Sequence, residues 1–236
     1  MPTESIMNEF DYVRRNYLSL KEEISALSER LGYKEPTLAA VTKSGTDEEL
    51  IALAMAGASD IAENRPQELK RRYELLKERA LTPRMHEIGS LQTNKVKMIS
   101  DFVYLVHSLD SERLAREIDK RASALGKRIP VLIEINSASE EQKGGILPEN
   151  AESFAEKLRE FGALSLRGVM TMGPLSESGE SLRPYFRETK KIFDKLTPYF
   201  EPGEEWVLSM GMSDSYRVAI EEGSTLIRVG RRLFTK

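Results

Sequence analysis

The sequence predicts an α/β fold of the TIM-type (β/α)8 barrel class, and three observations lead to that prediction. Strand-like apolar runs occur eight times, with helix-like segments between most of them. This alternation fills roughly 200 residues without a linker-like break, which is the usual size of such a barrel. No GxGxxG segment follows the first run, which disfavours a doubly wound open sheet. We therefore expect a single barrel domain over residues 1–236, with an extra N-terminal helix.

The N-terminal segment, residues 4–31, is predicted to form one long helix. Its apolar residues recur at spacings of three and four and form one stripe, which comprises Ile6, Phe10, Val13, Tyr17, Leu20, Ile24, Leu27 and Leu31. Gly32 follows the stripe and is a typical residue at a helix C-terminus. The flanking positions show no charge pattern of the kind that specifies a coiled coil. We therefore expect residues 1–32 to contribute a helix that packs on the barrel.

Strand-like and helix-like segments then alternate to the end of the chain. The predicted strands are rich in apolar and β-branched residues and lie at 37–43, 59–63, 84–88, 102–107, 129–136, 164–171, 206–209 and 225–229. The predicted helices lie at 46–56, 65–79, 111–125, 148–161, 181–196 and 213–222, and residues 92–99 allow only a short helix. Thr46 and Glu49 form a capping-box motif. Ser111 and Ser213 are the predicted N-caps of their helices.

Composition excludes several classes of function. Lys and Arg total 35 against 38 Asp and Glu, so the chain has no basic surface of the kind that binds nucleic acid or an anionic membrane. The chain has no cysteine, which excludes disulfides, thiol nucleophiles and Cys-based metal sites. Neither a signal-peptide pattern nor an apolar run of membrane-spanning length is present. We expect a cytoplasmic protein, and a monomer rather than a stable oligomer.

The first predicted strand ends at Lys43, within the segment TLAAVTKSG at 37–45. The carboxyl ends of barrel strands meet at one rim, and active sites lie at that rim. Other strands also end in polar residues or glycine, namely Asn64, His86, Gly89, His107, Ser108, Asn136, Thr171, Ser209 and Gly230. Taken alone, Lys43 could be a surface lysine whose ammonium reaches solvent. The accumulation of such residues favours a binding site at the rim, with Lys43 in it.

The loops after the seventh and eighth strands have features of a phosphate site. Ser209, Met210 and Gly211 lead into a predicted helix, whose N-terminus presents free backbone N–H groups. Gly230, after the eighth strand, permits close approach of a ligand to the backbone. For the segment 209–213, the alternative interpretation is an ordinary loop with a serine N-cap.

Arg228 alternates with the apolar Ile227 and Val229, so its side chain faces either the barrel interior or the outer helical layer. An outer arginine would form a surface salt bridge, whereas an inner one needs an acceptor that a bound ligand can provide. A lysine, a phosphate loop and an inner arginine together indicate a phosphorylated carbonyl ligand held as a Schiff base. Pyridoxal 5′-phosphate (PLP) fits all three features. His86 and His107 have no accompanying carboxylate cluster, so no metal site is predicted.

Several motifs, taken together, resemble those of the pyridoxal-phosphate homeostasis protein family. The matching segments are AVTK (40–43), AENRPQE (62–68), HEIGSLQTNK (86–95), VHSLDS (106–111), RGVMTMGP (167–174), LSMGMSDSYRVAIEEGSTLIRVG (208–230) and LF (233–234). They cover nearly the whole chain in the family's order. Members of that family resemble the barrel domain of alanine racemase, so the resemblance implies the same fold.

The resemblance also implies roles for individual residues. Lys43 matches the lysine that carries PLP, and Arg228 would face the pyridine nitrogen. Ser209, the Met210–Gly211 backbone, Gly230 and the N–H of Arg231 would hold the phosphate. Asn64 would line the site, and His86 and Gln92 would lie near the rim. The chain departs from the common pattern at Ala62, where glycine is usual, at Ser90, where histidine is frequent, and at Arg231, where threonine or serine is normal.

The implied function is PLP binding in intracellular vitamin B6 homeostasis and cofactor delivery, without robust turnover. PLP-dependent apo-enzymes are the candidate recipients. Alanine-racemase-like enzymes use a further β domain to supply the opposing base, and we expect no such domain in this chain of 236 residues. The alternative is a small PLP-dependent amino-acid racemase in which Lys43 and His86 act as the two bases.

Overall fold

The computed structural model describes residues 8–138, 144–174 and 176–236. Eight parallel strands form a closed barrel, in which each strand pairs with the next and β8 pairs with β1. The strands are β1 (Thr37–Val41), β2 (Asp60–Glu63), β3 (Arg84–Glu87), β4 (Leu105–Leu109), β5 (Ile129–Glu134), β6 (Leu164–Met170), β7 (Val207–Ser209) and β8 (Leu226–Val229). The predicted fold class is confirmed.

Helices surround the barrel in the described part of the chain. They are α1 (Asp11–Leu31), α2 (Asp47–Met55), α3 (Pro66–Lys77), α4 (Glu112–Ala124), α5 (Ala151–Leu158), α6 (Arg183–Leu196) and α7 (Tyr216–Glu221). A 3₁₀ helix, Thr93–Met98, takes the place of an α-helix between β3 and β4, as the short predicted segment there indicated. Among the described residues, none of the helices combines the length and apolar character that a membrane span requires.

The strands bury both of their faces, which explains their nearly continuous apolar sequences. Residues that face outward, such as Leu38 and Ile61, pack beneath the helices in the large core cluster. Residues that face inward form a smaller cluster of Ala39, Val41, Ala62, Leu105, Leu132, Met170 and Leu226. Two of these inner residues are alanines, and their small side chains leave volume inside the barrel for the polar residues described below.

Helix α1 packs on the barrel, with Val13, Leu20 and Ile24 completely buried in the large core cluster. It ends as predicted at Gly32, which has a left-handed backbone conformation with φ 67°. The Asn16 side-chain amide donates to the carbonyl oxygen of Thr235, 2.8 Å away, which links the first helix to the C-terminal segment. The part of the predicted helix before residue 8 lies outside the described residues.

Two predicted boundaries, the start of β4 and the start of α7, were wrong. In both cases residues typical of a strand or of a helix cap lie in a turn. Strand β4 begins at Leu105 rather than at 102, because the backbone N–H of Val103 bonds to the Ile99 carbonyl in a turn. Helix α7 begins at Tyr216, with Ser215 rather than Ser213 at its N-cap position. The capping box at Thr46 and the N-cap at Ser111 are confirmed.

Candidate cofactor site

The carboxyl ends of the eight strands surround a cavity of about 590 Å³. Every strand or the loop after it contributes to the lining, as shown by Lys43, Asn64, Gly89, Asp110, Asn136, Thr171, Met212 and Arg228. A cavity of this size at the catalytic face of a barrel suits a small-molecule ligand. The predicted position of the site at this rim therefore agrees with the geometry.

Lys43 lies two residues beyond the end of β1 and lines the cavity. Its ammonium has no ion-pair or hydrogen-bond partner among the residues that the structure describes. Other lysines, such as Lys21 and Lys195, pair with carboxylates. Lys43 thus presents to the cavity an ammonium that has no partner among the described residues.

Buried side chains behind the rim hold the backbone on both sides of Lys43. The Thr42 hydroxyl donates to a Glu63 carboxylate oxygen at 2.6 Å, and Arg72 Nη2 donates to the Gly45 carbonyl oxygen at 2.9 Å. Arg72 Nε lies 3.0 Å from the same Glu63 oxygen, which joins the two contacts. This set of Thr42, Glu63, Arg72 and Gly45, called here the rim clamp, fixes the turn that carries the lysine.

Arg228 points into the barrel and forms the floor of the cavity, which resolves the two orientations left open by the sequence. Ile227 and Val229 face outward into the large core, as their alternation requires. The guanidinium donates to the Thr171 carbonyl oxygen at 2.9 Å and to the Ser209 hydroxyl. Burial lowers the pKa of Arg228 to about 10, against the opposing effect of Glu134, so the side chain remains charged at neutral pH.

The loops after β7 and β8 form one wall of the cavity. The backbone N–H of Gly230 donates to the Ser213 hydroxyl at 3.4 Å, and Arg231 forms an ion pair with Asp214. A Cβ atom at Gly230 would lie 2.8 Å from the Val41 carbonyl oxygen, so a side chain at this position would displace β1. Gly230 is therefore required for close packing of the wall against the first strand.

Three of the residues predicted to contact phosphate lie beneath this wall, outside the lining. The Ser209 hydroxyl is fully buried, where it bonds to Arg228 and to His107. Met210 packs in the large core, and the Gly211 carbonyl oxygen accepts from the backbone N–H of Arg228. The neighbouring residues Met212, Ser213 and Ser215 line the cavity in their place.

The histidine predicted near the rim was misplaced. His86 lies inside the barrel below the cavity, with Nε2 at 2.8 Å from Asp60 Oδ1 and Nδ1 at 3.0 Å from His107 Nε2. His86 is the third of the four residues of β3, is almost fully buried and does not line the cavity. Gln92 is exposed outside the lining. The described residues include no cluster of three His, Asp or Glu that could hold a metal ion.

Sequence reasoning missed an acidic side of the cavity, which Asp110 and Glu134 form. Burial raises the pKa of Glu134, and the neighbouring Asp110 raises it further, while Arg228 lowers it. The signal was present in the segment VLIEIN, because Glu134 shares the inward register of Leu132 on a strand that is buried on both faces.

Similarity to known proteins agrees with this geometry. Residues 16–235 match the family model for the alanine racemase N-terminal domain. A pyridoxal phosphate homeostasis protein of Aquifex aeolicus is 41% identical over 215 residues, which cover 90% of this chain and 93% of the relative. The solved structure of Synechococcus elongatus PipY with PLP bound is 25% identical, with a TM-score of 0.81 over 94% of this chain and 100% of that one. An alanine racemase of Clostridium difficile shares the fold, with a TM-score of 0.72 at 17% identity, over 96% of this chain and 60% of that one.

Proposed function

The chain belongs to the pyridoxal phosphate homeostasis protein family, and we propose that it binds PLP as a Schiff base on Lys43 in intracellular vitamin B6 homeostasis. The single observation that carries this proposal is the free Lys43 amine in a cavity whose floor is the buried cation Arg228. PLP supplies an aldehyde carbon, with which a lysine amine condenses with loss of water.

The residues of the cavity fit such a group. An unpaired amine at the rim is the nucleophile that an aldehyde requires, and the rim clamp holds it in one place. Gly230 and Arg231 line the wall after β7 and β8, where the Gly230 N–H makes a 3.4 Å bond to Ser213 and the Arg231 guanidinium pairs with Asp214 at the surface. Backbone N–H groups and arginine are the usual partners of a phosphate.

We assign the phosphate to this wall, with Ser213, Gly230 and Arg231 as its direct partners. Ser209 and Gly211 would then support the site indirectly by positioning Arg228, since the Ser209 hydroxyl accepts from its guanidinium and the Gly211 carbonyl accepts from its backbone N–H. Met210 would contribute through packing in the core beneath the wall. Asn64 lines the cavity from the β2 side, where it would contact the ligand.

Arg228 supports a carrier rather than an enzyme with robust turnover. A guanidinium is a permanent donor with no proton to lose at neutral pH, so a pyridine nitrogen that faces it stays unprotonated. An unprotonated ring is a weaker electron sink than a protonated one. Lys43 is also exposed, which suits exchange of the ligand with a recipient apo-enzyme.

The racemase alternative requires His86 as a second base, and the position of His86 does not suit that role. His86 lies below the cavity and is almost fully buried, so it has no access to a substrate held by Lys43. We therefore favour binding and delivery of PLP over racemisation.

Absorbance titration with PLP tests the proposal. The wild-type chain should develop an imine band that saturates, and Lys43→Ala should not, although its circular dichroism should remain unchanged. Lys95→Ala is the control, because it removes a lysine of another matching segment, HEIGSLQTNK, and should behave like the wild type. A saturating band of wild-type size in Lys43→Ala would reject Lys43 as the attachment site.

A further inference from the structure

A continuous column of polar side chains crosses the interior of the barrel beneath the cavity. Its members are Arg228 (β8), Ser209 (β7), His107 (β4), His86 (β3) and Asp60 (β2), and we call them the barrel relay. All five are at least 97% buried. The bond between Ser209 Oγ and His107 Nδ1, 3.0 Å long, joins β7 to β4, which are not neighbours in the sheet. The relay thus crosses the space that apolar side chains fill in other parts of the barrel.

One set of bond directions gives every buried donor of the relay an acceptor. Arg228 has only donors, so the Ser209 oxygen accepts from it and the Ser209 hydroxyl donates to His107 Nδ1. His107 then carries its proton on Nε2 and donates to His86 Nδ1. His86 likewise carries its proton on Nε2 and donates to Asp60. In this set of directions both imidazoles are neutral and have the same tautomer.

The far end of the relay lies at the opposite face of the barrel. Asp60 and Arg84 are the first residues of β2 and β3, and Arg84 Nη2 lies 2.7 Å from Asp60 Oδ2. The Arg84 guanidinium also stacks on the Tyr104 ring, 4.8 Å from its centroid. Burial raises the pKa of Asp60, but hydrogen bonds from His86 and Arg84 outweigh it and lower the pKa to about 2. A fixed negative charge therefore ends the column that Arg228 begins.

We propose that His107 and His86 are positioning residues, which act through Ser209 to hold the Arg228 guanidinium at the floor of the cavity. The proposal rests on the proposed function only for the identity of the ligand above Arg228. Among the described residues, the only other hydrogen bond of the Arg228 guanidinium goes to the Thr171 carbonyl oxygen, 2.9 Å from Nη2.

A charge on either imidazole would disrupt this arrangement. Protonated His107 would donate from Nδ1 to Ser209, which already accepts from Arg228, and the Ser209 hydroxyl proton would lose its acceptor. Protonated His86 would force the same reversal, because His107 would have to accept at Nε2 and move its own proton to Nδ1. Burial and the positive charge of Arg228 hold the pKa of His107 well below its usual range, which keeps the His107 imidazole neutral at neutral pH.

Nitrogen-15 NMR of histidine-labelled protein tests the relay before any ligand is added. The chain has only two histidines, so the spectrum contains only two imidazoles. We expect His107 to be neutral, with Nε2 protonated and Nδ1 unprotonated, from about pH 8 to about pH 6. A charged imidazole at neutral pH, or a proton on Nδ1 of His107, would overturn the proposal. This result does not depend on PLP, so it is separate from the fate of the proposed function.

Variants then test the positioning role. His107→Leu should weaken PLP binding about tenfold and shift the absorbance band of the bound ligand, because Ser209 loses its acceptor and Arg228 loses its support. His107→Asn should restore binding to within about threefold, because the amide oxygen can accept from Ser209 near the position of Nδ1. Equal losses in both variants would overturn the positioning role.

A matched pair of serine variants separates positioning from loss of stability. Ser209→Ala should weaken PLP binding and shift the His107 resonances. Ser100→Ala removes another buried hydroxyl, which donates to the Val96 carbonyl outside the relay, and should change neither. Unchanged PLP binding in Ser209→Ala, with His107 unmoved, would refute the proposal. Absence of PLP binding in every protein, with the tautomers as expected, would reject the proposed function and leave the relay in place.

Discussion

Arg72 donates a hydrogen bond from Nη2 to the carbonyl oxygen of Gly45, across 2.9 Å, in the turn that follows Lys43. Arg72 belongs to helix α3 and is almost completely buried, although it is one of three consecutive basic residues in the sequence. Its Nε and Nη1 atoms have no hydrogen-bond partner among the described residues, although Nε lies at ion-pair distance from Glu63, 3.0 Å from Oε1. The contacts of the guanidinium are therefore those with Glu63 and Gly45, and together they position the turn that follows Lys43.

Arg72→Ala should lower the free energy of unfolding by about 3 kcal/mol, because it leaves the Glu63 carboxylate buried without its cation. It should also weaken PLP binding, because the turn that carries Lys43 is released. Urea unfolding and PLP titration measure the two effects. The neighbouring Arg71 is the matched control, since it pairs with Asp47 and Glu68 at the surface and Arg71→Ala should cost less than about 1 kcal/mol. Equal costs for both arginines would contradict the rim clamp.

Glu87 should make the protein less stable as pH rises. Burial raises the pKa of Glu87 to about 8, although the backbone N–H of Gly89 donates to one of its oxygens. Between these pKa values the folded state binds a proton that the unfolded state has lost. The contribution of the neutral Glu87 to the free energy of unfolding is therefore complete below about pH 4.5 and is lost as pH rises to about 8. Glu87→Gln resembles the neutral acid and should be more stable than the wild type at about pH 9, by on the order of 2 kcal/mol, and similar to it at about pH 5.

Urea unfolding of wild type and Glu87→Gln at these two pH values measures the difference. Glu22→Gln, on the exposed face of α1, controls for the change of net charge. A stability difference that is the same at both pH values would show that Glu87 is ionised throughout.

Arg231→Thr should leave PLP affinity within about tenfold of the wild type, because the backbone N–H at this position remains. The Arg231 side chain is largely exposed and already pairs with Asp214, so its own contribution to phosphate binding is small. Gly230→Ala should cause a larger loss, because its Cβ atom would lie 2.8 Å from the Val41 carbonyl oxygen. Equilibrium titration with PLP ranks the two variants, and a larger loss in Arg231→Thr would identify the guanidinium as a primary phosphate ligand.

Cofactor delivery should proceed without release of PLP into solution. The PLP-loaded chain should activate a PLP-dependent apo-enzyme in the presence of a phosphatase that destroys free PLP. A mixture of Lys43→Ala with the same amount of PLP should fail under these conditions, because its ligand is free. Recovery of apo-enzyme activity measures the transfer. If phosphatase abolished activation by the wild-type chain as completely as activation by free PLP, direct delivery would be excluded.

Periodicity in the sequence was enough to predict the barrel, and the end of β1 was enough to predict Lys43 in the cavity. The alternation of Arg228 with Ile227 and Val229 limited that arginine to two orientations, and only the closed sheet selected the inner one. The predicted strand 102–107 began three residues before β4, because the residues near Val103 are as apolar as a strand but form a turn.

The sequence did not predict how far each polar residue lies below the cavity inside the barrel. Ser209 ends one predicted strand and His86 lies near the end of another, but each bonds to side chains from other strands below the cavity. Those bonds depend on the diameter and stagger of the barrel, which determine which strands face one another across the interior. Ser213 and Glu134 were missed for the same reason, although each lies in a segment that carried a visible signal.

Borohydride reduction of the PLP-loaded chain, followed by peptide mapping, tests the role of Lys43 most directly. Reduction converts a Schiff base into a stable pyridoxyl-lysine, so the modified peptide identifies the attachment site. We predict modification of the single peptide that contains Lys43, and none in the Lys43→Ala variant. A pyridoxyl group on Lys95 or another lysine, or no modification of a chain that has bound PLP, would contradict the assignment of Lys43 as the residue that carries the cofactor.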